Sequence, residues 1–144
     1  MAAALLFLGG CGANGKNENI NAGMEAVAAL EYDNALLSFA AAREAGEDLR
    51  RINRGEGIAY LGKSMYAEAA QAFESALSYS DGRVSSMDYD INYYLAIAYY
   101  KLGETEKAID VYNAILALKE GEKDAYYLRG AIWAEQGNIE QASA

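Results

Sequence analysis

Asn92-Tyr93-Tyr94-Leu95-Ala96-Ile97-Ala98-Tyr99-Tyr100-Lys101-Leu102-Gly103-Glu104-Thr105-Glu106-Lys107-Ala108-Ile109-Asp110-Val111-Tyr112 is two helix-sized segments about one glycine turn. Past the glycine, apolar residues recur three and four positions apart at Ala108, Val111, Tyr112, Ile115 and Leu116, which is the period of one helix face. Alanine is abundant and β-branched residues are sparse, so helix is favoured over strand throughout. No segment of the chain predicts a strand.

The pair Ala108 and Tyr112 is one beat of a longer rhythm. Ala35, Ala69, Ala108 and Ala142 stand 34, 39 and 34 residues apart, and Phe39, Phe73 and Tyr112 follow the first three by four positions. One helical unit is therefore stacked several times. A unit of this size cannot bury its apolar face alone and gains a core only from its neighbours. The pattern predicts helices near residues 19–30, 33–45, 48–62, 66–79, 88–102, 105–118 and 123–136, and an eighth from about 139.

In the third unit a small residue, an aromatic, a turn glycine, an alanine, a second aromatic and an apolar residue fall at Ala96, Tyr99, Gly103, Ala108, Tyr112 and Ile115. This resembles the tetratricopeptide repeat (TPR). The second unit has Gly57, Tyr60, Ser64, Ala69, Phe73 and Ala76 at those places, and the fourth has Gly130, Trp133, Gly137 and Ala142. The first, with Gly23, Ala26, Leu30, Ala35, Phe39 and Ala42, is the most degenerate. No proline ends a unit, and Asn19, Asn53 and Asn92 stand where the repeat usually has an early Trp, a place that Tyr126 fills in the fourth unit. The resemblance implies an all-α fold, a right-handed α-solenoid of antiparallel helix pairs with about three and a half repeats. Its units are residues 19–48, 50–83, 89–121 and an incomplete 123–144.

In such solenoids the first helix of each unit lines a concave groove that holds an extended or helical peptide. Carried over by alignment, the lining is Ile20, Met24 and Val27 from unit one and Arg51, Arg54, Ile58 and Leu61 from unit two. Unit three contributes Asp90, Tyr93, Ile97, Tyr100 and Lys101, and unit four Asp124, Tyr127, Ala131 and Glu135. Tyrosine joins a large apolar face to a hydroxyl at small rotamer cost, which suits an adaptable recognition surface. Tyr60, Tyr99 and Tyr112 are expected in the inter-helix core, whereas Tyr93, Tyr100 and Tyr127 divide between packing and partner contact. A Lys, Asn and Arg clamp for a terminal carboxylate is not matched, because Ile20, Met24, Gly55, Asp90 and Tyr94 occupy its places.

The chain carries 12 basic and 21 acidic residues, a formal net charge of −9. Nucleic-acid affinity needs a concentrated cationic face, so no nucleic-acid partner is expected. Arg50, Arg51 and Arg54 form the single basic cluster, read either as a solvated face paired with Glu47, Asp48 and Glu56 or as an anion-binding spot at one end of the groove. Histidine is absent, which removes the usual general base and the commonest metal ligand. No serine sits in a recognisable nucleophile motif, and no catalytic residue, metal site or cofactor is expected. Asp81, Asp88 and Asp90 lie in the five-residue excess between units two and three. Their spacing does not match a calcium loop. That segment reads as a helix stop at Gly82 followed by an N-cap at Ser86 or Asp88.

Met1 to Leu8 is apolar and runs into Gly9-Gly10-Cys11, while residues 12–18 are polar and rich in Gly and Asn. The order Leu, two small residues, Cys resembles the lipobox of a bacterial lipoprotein signal, which implies lipidation of Cys11, a flexible linker at 12–18 and a place outside the cytoplasm at the cell envelope. The lead is short and lacks a basic residue. At the other end, residues 139–144 give about 9 Å of helix, too little to cover the helix holding Trp133. Either a longer repeat protein continues, or the open unit self-associates. The expected function is a non-catalytic protein or peptide binding scaffold held at the membrane by lipid alone. The alternatives are a self-assembling repeat block and a carboxylate-based hydrolytic or carbohydrate-active protein.

Overall fold

The computed structural model describes residues 16–119 and 121–142, with residues 139 and 140 as backbone only; Cys11 and its apolar lead lie outside the described residues. Among the described residues eight helices follow one another: α1 Glu18–Ala28, α2 Tyr32–Glu44, α3 Leu49–Gly62, α4 Tyr66–Ser78, α5 Ser86–Lys101, α6 Thr105–Leu118, α7 Lys123–Glu135 and α8 Ile139–Ala142. They pair as antiparallel hairpins α1/α2, α3/α4, α5/α6 and α7/α8, and together form an α-solenoid. The predicted helix bounds agree to within about two residues.

Each hairpin turns in the same way. The backbone is left-handed at Leu30, Ser64, Gly103 and Gly137, with φ of 61°, 59°, 79° and 78°. One residue later an N–H reaches back to the preceding helix, from Glu31 to Ala26, Met65 to Tyr60, Glu104 to Tyr99 and Asn138 to Trp133. This is the helix-stop geometry that satisfies the last carbonyls. Leu30 and Ser64 adopt it at a steric cost that glycine avoids.

The core is three apolar clusters, each spanning a hairpin and the first helix of the next unit. Phe39 with Ala35, Ala42, Ile52 and Ala59 forms the first. Phe73 with Ala69, Ala76, Ile91 and Leu95 forms the second, and Tyr112 with Ala108, Ile115, Ala125 and Ile132 the third. No cluster closes within one unit, which is why the repeat must stack. Burial of rings such as Phe39 and Phe73 supplies roughly 1.5–3 kcal/mol each.

Small residues set the seats of these rings. A Cβ at Gly23 would lie 2.5 Å from a Phe39 ring carbon, one at Gly55 2.3 Å, and one at Gly57 2.5 Å from a Phe73 ring carbon. The helix backbone itself forms the wall, so a methyl group there must displace the ring.

Candidate functional site: the row of first helices

The first helices lie side by side. α1 touches α3 and α3 touches α5, whereas among the described residues no two second helices touch. The row that packs closest lies on the inner side of the curve, so α1, α3 and α5 line the concave face, and α7 joins them through side chains of α5.

Side chains tie the row together. Arg50 donates to the Asp88 carboxylate and Arg54 to that of Asp90, each from α3 to α5. The Tyr100 hydroxyl donates to Glu135, and the Tyr93 hydroxyl to Glu122 at 3.3 Å, which carries the row from α5 to α7 and its N-cap. The hydrogen bond to Glu135, then burial, raises the Tyr100 hydroxyl above its ordinary value. Burial comes first at Tyr93, followed by the charge of Glu122. Both phenols therefore stay neutral donors at neutral pH.

These partners correct the expected pairing of the basic cluster. Glu56 pairs with Arg43 of α2, and Asp48 caps α3 by accepting from the Arg51 N–H at 3.0 Å. Glu47 reaches back to α1, accepting from the backbone N–H groups of Asn19 at 3.0 Å and Ile20 at 2.9 Å. Burial works against its charge, yet those donors outweigh it and hold the carboxyl below its ordinary value. Arg50 and Arg54 turn to α5 because Asp88 and Asp90 stand opposite them on the adjoining first helix.

The loop before α5 is also corrected. Its N-cap is Ser85, in a capping box with Asp88, rather than Ser86 or Asp88. Asp88 accepts from the Ser85 N–H at 2.7 Å and from the Ser85 hydroxyl at 2.6 Å. Burial opposes ionisation of Asp88, but the Ser85 donors and Arg50 hold its carboxyl low. Asp81 accepts from the Arg83 N–H and Asp90 pairs with Arg54, so the three aspartates do not converge. Among the described residues no group of three His, Cys, Asp or Glu is placed to hold a metal ion.

Of the residues assigned to the groove, Ile20 does not face it. It is 1% exposed and belongs to the core around Phe39, where the Glu47 carboxylate holds the first turn of α1 through the N–H groups of Asn19 and Ile20. Met24 and Val27 pack partly against the same core, and Ile58 and Leu61 against the next. Tyr93 leans on Tyr112, with ring centroids 6.2 Å apart. Ile97 and Tyr127 are the open apolar members, 38% and 75% exposed, and Lys101, Asp124, Ala131 and Glu135 are exposed beside them. Tyr112 is buried as expected, and burial pushes its hydroxyl up to about 12. Tyr99 is half-buried, its hydroxyl donating to Glu74.

Asn53 and Asn92, at equivalent places, each donate a side-chain N–H to the carbonyl four residues back, Leu49 at 2.7 Å and Asp88 at 2.8 Å. That replaces the large aromatic of the usual repeat with a local polar lock.

A tetratricopeptide repeat family model matches residues 54–123 and 93–143, leaving the whole first unit and the start of the second outside both spans. The TPR repeat-containing protein MJ1428 of Methanocaldococcus jannaschii is 28% identical over 127 residues, 88% of this chain. The chain spans 21% of the length of that relative. A crystal structure of MamA superposes with a TM-score of 0.75 at 21% identity, covering 90% of this chain and 73% of that one, a likeness of fold. With matched spans that together cover more than half of its length, and with hairpins that repeat the same turn and the same ring seats, the chain belongs to the tetratricopeptide repeat family.

Proposed function

We propose that the chain is a non-catalytic scaffold that holds a protein or peptide along the row of first helices, and that Cys11 anchors it by lipid at the outer side of a bacterial membrane. The observation that supports the first part is the open apolar surface of α5 and α7. Ile97 and Tyr127 stay exposed there while Tyr100 is held as an oriented donor by Glu135. A rigid ring with a fixed hydroxyl loses little entropy on contact, as recognition surfaces require. Charge shapes the partner. Arg54 is neutralised by Asp90, and the surface towards α7 carries Asp124 and Glu135, so a peptide with basic side chains at that end complements it.

The anchor rests on the sequence order Leu8-Gly9-Gly10-Cys11 and the polar linker before α1. No described helix is long and apolar enough to cross a membrane.

The groove is tested by affinity capture from an envelope extract with the intact chain and with Ile97→Ala/Tyr100→Ala. Ile97 is 38% exposed and Tyr100 packs only in part against the third core cluster, so the double variant is compared with the intact chain only after its fold and stability have been matched. A partner recovered with the intact chain and lost with the folded double variant supports the groove, and equal recovery rejects it. For the anchor, Cys11→Ser is expected to move the protein from the membrane fraction to the soluble one; an unchanged distribution rejects lipidation.

A further inference from the structure

The step from α4 to α5 takes seven residues, 79–85, where the step from α2 to α3 takes four, 45–48. Both units that the longer segment joins are complete among the described residues. Together with the start of α3 the segment borders an open cleft of about 570 Å³, and four of its seven lining residues, Tyr79, Asp81, Arg83 and Ser85, come from the segment itself. Asp48, Leu49 and Arg50 form the opposite wall. A solenoid step closes with the shorter connection, so residues added between units are free to build a binding wall.

The polar groups of the cleft are already held in place. Asp48 accepts from the Arg51 N–H and Asp81 from the Arg83 N–H, each at 3.0 Å through Oδ1, which leaves the second oxygen of both carboxylates to spare. Arg50 is fixed by its ion pair with Asp88, and its Nε–H is buried without an acceptor. A buried donor left unpaired is costly, so the guanidinium gains from an acceptor brought into the cleft. Tyr79 stands among these groups 51% exposed and belongs to none of the three core clusters. Its ring is not needed to close the fold.

The lining holds two arginines and two aspartates, so no net charge selects an ion. It offers planar donors and acceptors beside a bare aromatic ring. A neutral ring-shaped molecule with adjacent hydroxyls uses all of them, because each hydroxyl can accept from a guanidinium and donate to a carboxylate while a C–H face covers the tyrosine. The volume also falls within the range of about 300–1,000 Å³ common to small-molecule sites. We propose that this cleft binds a neutral saccharide, with Tyr79 as the platform for one sugar ring, Asp48 and Asp81 as acceptors, and Arg50 and Arg83 as donors. Its walls are set before the ligand arrives, so little ordering accompanies binding. The site shares no residue with the open groove surface around Ile97, Tyr100 and Tyr127, and it stands independently of the proposed function.

The test is a titration of the isotope-labelled chain with maltose, cellobiose and diacetylchitobiose, read from backbone amide shifts. Saturable shifts centred on residues 48–50 and 79–85 are expected with at least one of the three. Tyr79→Ala is expected to weaken that binding about tenfold through loss of the stacked ring, and to leave the melting temperature unchanged. Asp81→Asn keeps the acceptor for the Arg83 N–H but replaces the spare carboxylate oxygen with a donor. It is expected to weaken binding about fivefold. Inorganic phosphate is the control ligand. Saturable shifts of the same amides with phosphate and none with the sugars would assign the cleft to an anion and overturn the proposal. No saturable shift with any of the three sugars, or equal affinity in the parent and in Tyr79→Ala, also overturns it.

Discussion

The junction between units one and two and that between units two and three solve one packing problem by opposite means. At the first, Gly23 and Gly55 strip side chains from α1 and α3, so the Phe39 ring meets bare backbone on both sides. At the second, the equivalent of Gly55 is Tyr94, which stacks on Phe73 with centroids 5.7 Å apart and an interplanar angle of 9°. The connecting segments differ likewise. Residues 45–48 close the first junction with Glu47 and Asp48 as caps, while residues 79–85 give the second a longer loop and the Ser85 capping box. A solenoid step thus needs a filled interface and not one particular residue. Removing a side chain and adding a ring both supply it.

The comparison breaks most visibly at Gly55. Gly55→Ala is expected to cost about 3 kcal/mol in urea unfolding, since its methyl group would overlap the Phe39 ring. Combined with Phe39→Leu the cost should fall well below the sum, while combined with Phe73→Leu the two costs should add. A fully additive cycle with Phe39 would show that the ring is not held by backbone contact. Tyr94→Ala probes the other solution. It is expected to cost about 2 kcal/mol through lost stacking and burial, coupled to Phe73 and not to Phe39.

Acid separates the two junctions next. Glu47 and Asp88 ionise more readily in the folded chain than their ordinary values of 4.5 and 3.8. Their contribution is therefore complete above those values and fades as pH falls through the lower folded ones. Glu47→Gln is expected to cost about 1 kcal/mol at pH 7, as for a lost helix cap, and Asp88→Asn somewhat more because Arg50 is left unpaired. Melting curves from pH 7 to pH 3 should show a shallower acid loss for each variant than for the parent. Parallel curves would remove these carboxylates from the account.

The smallest effect concerns the turn that all units share. Leu30→Gly relieves a left-handed leucine and is expected to raise stability by about 0.5–1 kcal/mol, while Gly103→Ala lowers it by a similar amount. Thermal melts of the two variants should move in opposite directions.

Much of this architecture is legible in the sequence because it is local. Ala108, Tyr112 and Gly103 announce a helix face and a turn through their spacing, and the five-residue excess before Ala108 locates the one longer loop. What was not legible is the choice of partners. Arg50 and Arg54 have acids beside them in sequence, yet pair with Asp88 and Asp90, 38 and 36 positions away, because stacking places those acids opposite. Glu47 looks like a surface charge until the fold lays the start of α1 against it. Ile20 resembles a groove residue by alignment, but the degenerate first unit turns it into the core. The Ser85 cap did carry a signal: Ser-Ser-Met-Asp is a serine with an acid three residues later, the pattern of a capping box.

The most direct measurement of the scaffold reading is site-specific photo-crosslinking in cells. One crosslinking residue replaces Ile97 on the inner row and another replaces Leu37, which is 70% exposed on second helix α2. A discrete crosslinked protein is expected from position 97 and none from position 37. Crosslinks confined to position 37 would contradict the scaffold reading.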